Sequence, residues 1–269
     1  MQAIDQPPRA QRRVFITGAS SGLGAALARR YAQQGAVLGL AARRGDKLQQ
    51  LTDTLPNPSQ HRIYVLDVND HAAIASAAAD FIVAHNGVDI VIANAGISRG
   101  TLTEYAEDLP AFEQVFATNV TATVATFTPF IAAMQKQAQA GDRGCRLVGI
   151  SSVAGVRGLP GAGAYSASKA AVRVYCESLR VEMKKSGIKV VTIAPGYIDT
   201  PMTQINDYAM PFLMPAPKFA EKAVNAIADG DSYRVIPWQM AIVGKVLRGL
   251  PNGLYDKLFS NAPRKTRQL

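Results

Sequence analysis

Tyr165 and Lys169 stand four residues apart in AYSASKAAV, and Ser152 lies thirteen positions before the tyrosine. On a helix a separation of four is just over one turn, so the phenol and the ammonium share a face. A cation beside a phenol favours the phenolate and lowers a pKa that starts at about 10. A tyrosine tuned in this way exchanges a proton with an alcohol or a ketone near neutral pH. Tyr-x-x-x-Lys recurs by chance on many helices, so its weight depends on what else the chain carries.

The second element of chemistry is a glycine loop near the start, ITGASSGLG. Gly18, Gly22 and Gly24 are its fixed points, in the spacing G-x-x-x-G-x-G rather than G-x-G-x-x-G. Between a strand and a helix, such a loop makes a tight turn and lets backbone approach a ligand closely. It also aims the helix N-terminus at a pyrophosphate. Ser20 and Ser21 add hydroxyl donors, and Leu23 completes the turn.

Both elements need a frame. RRVFITG, residues 36–42, RIYVLDV, VDIVIANAG, CRLVGISS and IKVVTIAPG read as six strands, apolar on both faces. Ala-rich stretches of helical length separate them: Leu23–Gln34, Ala72–His85, Leu109–Ala140 and Ala164–Ser186. This alternation predicts an α/β fold with a parallel, doubly wound sheet. No linker or repeat interrupts it, so residues 1–269 read as one domain with a variable lobe from about Tyr197.

Composition narrows the rest. The hydrophobic fraction of 48% supports a sizeable core, and no run approaches the roughly 18–20 uninterrupted apolar residues of a membrane span. MQAIDQPPRAQRR lacks the apolar segment of a secretory signal, which predicts a cytoplasmic protein. Cys145 and Cys176 sit in apolar surroundings and read as buried thiols; His61, His71 and His85 lack metal-ligand spacing. The net charge is +9, with no zinc-ligand pattern or basic recognition helix to suggest nucleic acid. From Arg234 onward the surplus is concentrated: Arg234, Lys245, Arg248, Lys257, Arg264, Lys265 and Arg267 face only Asp256.

Taken together, TGASSGLG, Asn94–Gly96, Asn119, Ser152, Tyr165, Lys169 and Pro195–Gly196 resemble the short-chain dehydrogenase/reductase family in its compact single-domain form. The resemblance covers roughly residues 12–233. It implies a Rossmann-like sheet of strand order 3-2-1-4-5-6-7, a nicotinamide cofactor and a homo-oligomer, dimer or tetramer. It implies that Tyr165 is the general acid of ketone reduction and that Lys169 tunes it and bonds the nicotinamide ribose. Ser152, selected over Ser151 by its spacing, would polarise the carbonyl. Asn119 would be the structural asparagine that holds a water leading from Lys169 to solvent. Asp67 and Val68 match the adenine-contacting pair, and Asn94, Ala95 and Gly96 match the turn flanking the cofactor. Pro195, Gly196, Ile198 and Thr200 match the segment that contacts the carboxamide and phosphates.

The second strand ends without a carboxylate to bind a ribose 2′-hydroxyl; Arg43 and Arg44 begin the loop instead. A guanidinium grips a phosphate well, and in this family an arginine here implies NADP(H) over NAD(H). The region 197–233, with NDYAMPFLMPAP, corresponds to the family's substrate lid, and its methionines and aromatics suit a lipophilic, long-chain or steroid-like ketone. The extension 234–269 is basic and amphipathic. It fits peripheral contact with the inner face of a membrane through residues 237–269, a partner subunit, or packing on its own domain. A second functional class, a cofactor-binding sensor or membrane-recruited scaffold without turnover, is opposed by the intact Ser152, Tyr165 and Lys169 set.

Overall fold

The structure, a computed structural model, describes residues 11–142, 144–206, 208–261 and 267. The N-terminal stretch expected to carry no signal, apart from its last three residues, lies outside them, as do Arg264 and Lys265.

Seven parallel strands form the sheet: β1 (Arg13–Thr17), β2 (Val37–Ala42), β3 (Arg62–Val65), β4 (Ile90–Ala93), β5 (Arg146–Ile150), β6 (Lys189–Pro195) and β9 (Tyr233–Ile236). Their order is β3-β2-β1-β4-β5-β6-β9, the order expected. Successive residues point to opposite faces. Val14 and Ile16 join one core while Phe15 joins the other, and Ile90 and Ile92 are likewise divided from Val91. The first core is covered by α1 (Gly22–Gln33), α2 (Gly45–Asp53) and α8 (Ala216–Asp229). The second is covered by α3 (His71–His85), α5 (Ala122–Gln139) and α6 (Gly163–Glu182). Burial on both faces explains the apolar strands; β3 and β9, at the two sheet edges, are the partly exposed exceptions.

Two elements depart from the expected layout. The helix read as Leu109–Ala140 is divided: α4 (Leu109–Phe116) passes through a π-helical turn, 117–121, into α5. The run Ala106–Gln139 is long and apolar enough to cross a membrane, yet Phe127, Phe130 and Met134 turn it into the second core. Part of the expected lid is α8, a core helix packed on α1 with Phe219, Ala223 and Ile227 buried. Prolines 215 and 217 look like loop residues in the sequence, but proline is tolerated in a first helical turn. What remains is a loop from Thr200 to Leu213, which includes α7 (Pro201–Gln204) and is closed by a two-residue ribbon, β7 (Ile198–Asp199) with β8 (Met214–Pro215). The extension forms two short helices, α9 (Gln239–Gly249) and α10 (Asn252–Phe259).

β1 lies between β2 and β4, so the chain leaves the sheet in opposite directions at their carboxyl ends. The crevice at such a switch point is where open α/β sheets bind ligands.

Candidate active site

The glycine loop fills the turn from β1 to α1. Gly18 and Gly22 adopt φ of +66° and +54°, a region unfavourable to other residues. A Cβ on Gly24 would lie 2.3 Å from the Gly18 carbonyl oxygen and 2.6 Å from Asn94 Nδ2. Asn94 holds the turn by donating to the Thr17 and Gly18 carbonyls at 2.9 and 3.2 Å. The Thr17 hydroxyl accepts from the Asn94 and Ala95 amides, fixing the loop after β4 against the loop after β1.

A cleft of about 410 Å³ opens above these loops. Gly18, Ser20, Ser21, Gly22 and Leu23 line it at one side; Arg43, Arg44, Asp67 and Val68 line one end. Asn94, Ala95 and Gly96 form the middle, with Pro195, Gly196, Ile198 and Thr200 opposite. Ser152, Tyr165 and Lys169 line it too. Gly24 and Asn119 stand behind the wall. Asn119 is fully buried; it accepts from the Ile97 amide at 2.8 Å and donates to the Ile97 carbonyl and to Ser168 Oγ. Ser168 in turn donates to the Tyr165 carbonyl at 2.8 Å. The π-helical turn places Asn119 between the β4 loop and the tyrosine's helix.

At the tyrosine end, Ser152 caps a short 3-10 turn, its Oγ accepting from the Ala154 amide and facing the Pro195 carbonyl at 3.4 Å. The Tyr165 phenol lies beside Ser152. Lys169 Nζ donates to the Ile150 carbonyl at 2.9 Å and sits 5.8 Å from the centre of the Tyr165 ring. The electrostatics differ from the sequence expectation. Burial raises the Tyr165 pKa, and the group that lowers it is Ser152, not Lys169. Burial also pushes the lysine down, to about 8. Removal from water penalises both charged forms, and this outweighs the adjacency that spacing alone suggests.

At the arginine end, Arg44 donates to Ser20 Oγ and Ser21 Oγ at 3.0 and 2.7 Å. The two expected hydroxyl donors and a guanidinium thus converge. Arg43 lies 3.8 Å from Asp67, with 67% of its side chain exposed. Asp67 accepts from the Asn69 amide and side chain, closing a turn. Arg99, Gln114 and Met202 line the cleft without having been expected. They come from three separate segments, and only tertiary folding brings them there. With Arg43, Arg44, Arg99 and Lys169 against Asp67, the lining is cationic and suits an anionic ligand. Glycines that a Cβ would block and a cationic rim fit a dinucleotide pyrophosphate.

Such a crevice, with a half-buried phenol and a buried hydroxyl and ammonium in it, defines an α/β dinucleotide-binding oxidoreductase. Comparison with known proteins gives the family. A short chain dehydrogenase family model matches residues 12–209. An uncharacterized oxidoreductase of Myxococcus xanthus is 38% identical over 248 residues, 91% of this chain and 95% of the relative. Levodione reductase superposes with a TM-score of 0.75 at 26% identity, covering 86% of this chain and 98% of that one. A Brucella melitensis 3-ketoacyl-(acyl-carrier-protein) reductase, complexed with NADH, shares the fold: TM-score 0.77, 22% identity, 84% of this chain and 96% of that one. The chain belongs to the short-chain dehydrogenase/reductase family, a family of oxidoreductases.

Proposed function

We propose that the protein is an NADP(H)-dependent oxidoreductase that interconverts a ketone and a secondary alcohol, acting on a lipophilic substrate. The observation that carries this reading is the meeting of Ser152, Tyr165 and Lys169 at the buried end of a cationic, glycine-floored cleft.

Gly18, Gly22 and the start of α1 would hold the pyrophosphate; Arg43, Arg44 and Ser20 would hold a 2′-phosphate; Lys169 would reach the nicotinamide ribose. When bound, the nicotinamide supplies a hydride to the carbonyl carbon. The Ser152 hydroxyl and the Tyr165 phenol donate to the carbonyl oxygen and stabilise the charge that grows on it. Tyr165 then gives its proton to that oxygen, completing the alcohol, and the Ser152 hydroxyl stabilises the phenolate left behind. The raised Tyr165 pKa leaves the phenol protonated at neutral pH, the form that reduction requires. Asn119 keeps the tyrosine's helix in register with the loop after β4.

A lipophilic substrate is supported by the loop over the cleft, where Met202, Ile205, Phe212 and Leu213 are exposed. The exposed Leu109 and Phe112 on α4 and Val174 and Val181 on α6, two helices in contact, support a homo-oligomer. The basic extension supports a cytoplasmic enzyme held against the inner face of a membrane. The test is reduction of a panel of aliphatic and steroid-like ketones with NADPH deuterated at C4. Deuterium on the carbinol carbon of an apolar product is expected. Cofactor binding without consumption across the panel would reject the reading.

A further inference from the structure

α9 is fixed to the body on one side only. Met240 packs against Gly196, where a Cβ would come within 2.7 Å of it, and Gly244 faces Val156. Arg157 donates to the Leu247 and Leu250 carbonyls, capping the helix end, and stacks 3.9 Å from the centre of the Tyr255 ring of α10. Two positions round from Met240 and Gly244, the helix presents Trp238, Ile242 and Val246, spaced by four and exposed by 65, 54 and 57%. This stripe cannot turn inward without breaking the Arg157 cap.

Beside it lies a groove of about 680 Å³ between α9, β9 and α6. Its walls include Tyr233, Val235, Trp238 and Ala241; Arg173, Lys245 and Arg248 stand among them. No acid lines it among the described residues. Arg234, also lining, is neutralised by Asp231. Arg173, Lys245 and Arg248 form no ion pair among the described residues. Arg173 Nε is buried without a hydrogen-bond partner, a costly state that an incoming anion would relieve.

We propose that this groove receives the headgroups of an anionic lipid bilayer while Trp238, Ile242 and Val246 lie in its interface. An apolar stripe continuous with an unpaired cationic groove has the chemistry of a surface-bound amphipathic helix, and tryptophan suits the boundary between apolar and wet. A second copy of the chain fits poorly, because a two-fold contact through this face would set cations against cations. The inference rests on the membrane contact proposed above and not on the reaction, so the two fail separately.

Trp238 is the sole tryptophan, so its emission reports this face alone. The full chain is titrated with vesicles of phosphatidylcholine, and of phosphatidylcholine mixed with phosphatidylglycerol, while sedimentation measures binding. Expected are a blue shift and co-sedimentation with the anionic vesicles only. Lys245→Glu with Arg248→Glu should weaken that binding about tenfold or more, with NADPH binding unchanged as proof of folding. Each of four results would overturn the proposal. These are no shift with anionic vesicles, an equal shift with neutral ones, a shift that grows with protein concentration in their absence, or unaltered binding by the charge-reversed variant.

Discussion

At the tyrosine end of the cleft, Ser152 and Lys169 expose 8% and 5% of their surface, and Asn119 none; at the arginine end, Arg43 keeps 67% of its side chain in solvent and Asp67 42%. The first end is held by bonds to backbone carbonyls and amides of several elements, the second by a loose ion pair and two hydroxyls. Chemistry that shifts protons needs groups taken out of water and fixed, because burial is what moves their pKa. Recognition of a phosphate needs charge and reach, which a solvated loop supplies and a short change of sequence can alter.

The contrast can be broken at three depths. The largest effect is expected where both ends share a floor. Gly24→Ala drives a methyl group into the Gly18 carbonyl and Asn94, and should abolish cofactor binding with a loss of about 1–3 kcal/mol in stability. Calorimetric titration and denaturant unfolding check both.

At the buried end, Lys169→Met should abolish reduction and yet stabilise the cofactor-free protein. The folded lysine titrates near 8 and the unfolded one near its usual 10.5. Below pH 8 both states carry the proton, and the folded state bears the full cost of the buried charge. Between pH 8 and 10.5 the folded lysine is neutral and the cost fades. The variant's advantage should therefore be about 3 kcal/mol at pH 7 and vanish by about pH 10.5. Unfolding curves across that range read it directly; an advantage that is flat with pH would show that desolvation of the ammonium is not its source.

At the exposed end, Arg43→Ala should weaken NADPH by about 1–3 kcal/mol and leave NADH nearly unchanged. Equal loss for both cofactors would move selectivity to Arg44 or Arg99.

How far the sequence revealed these regions follows from what each is made of. The strands were plain because burial on both faces enforces apolar runs, as in β1 and β5. The glycine loop and Tyr165–Lys169 were plain because each acts within a few residues of chain. α8 was hidden by its opening prolines, and the π-helical turn at Asn119 by the absence of any residue that announces it. Arg99, Gln114 and Met202 could not be read, since their place in the cleft depends on a loop and two helices, far apart in the chain, meeting. The direction of the Tyr165 shift was misread because spacing reveals neighbours but not the loss of water around them. For the tail, membrane contact, a partner subunit and packing on its own domain stay open in the sequence because its apolar residues serve all three: α9 packs on its own body through Met240 and Gly244 and leaves its other face bare.

The most direct test of the account is single-turnover NADPH oxidation by excess enzyme with a reducible ketone, run on the natural protein and on Tyr165→Phe. NADPH binding is followed separately by fluorescence. Equal NADPH affinity with turnover reduced by about 10²–10⁴-fold is the predicted result. Turnover by the phenylalanine variant at the natural rate would contradict the assignment of the proton to Tyr165, and with it the reaction centre described here.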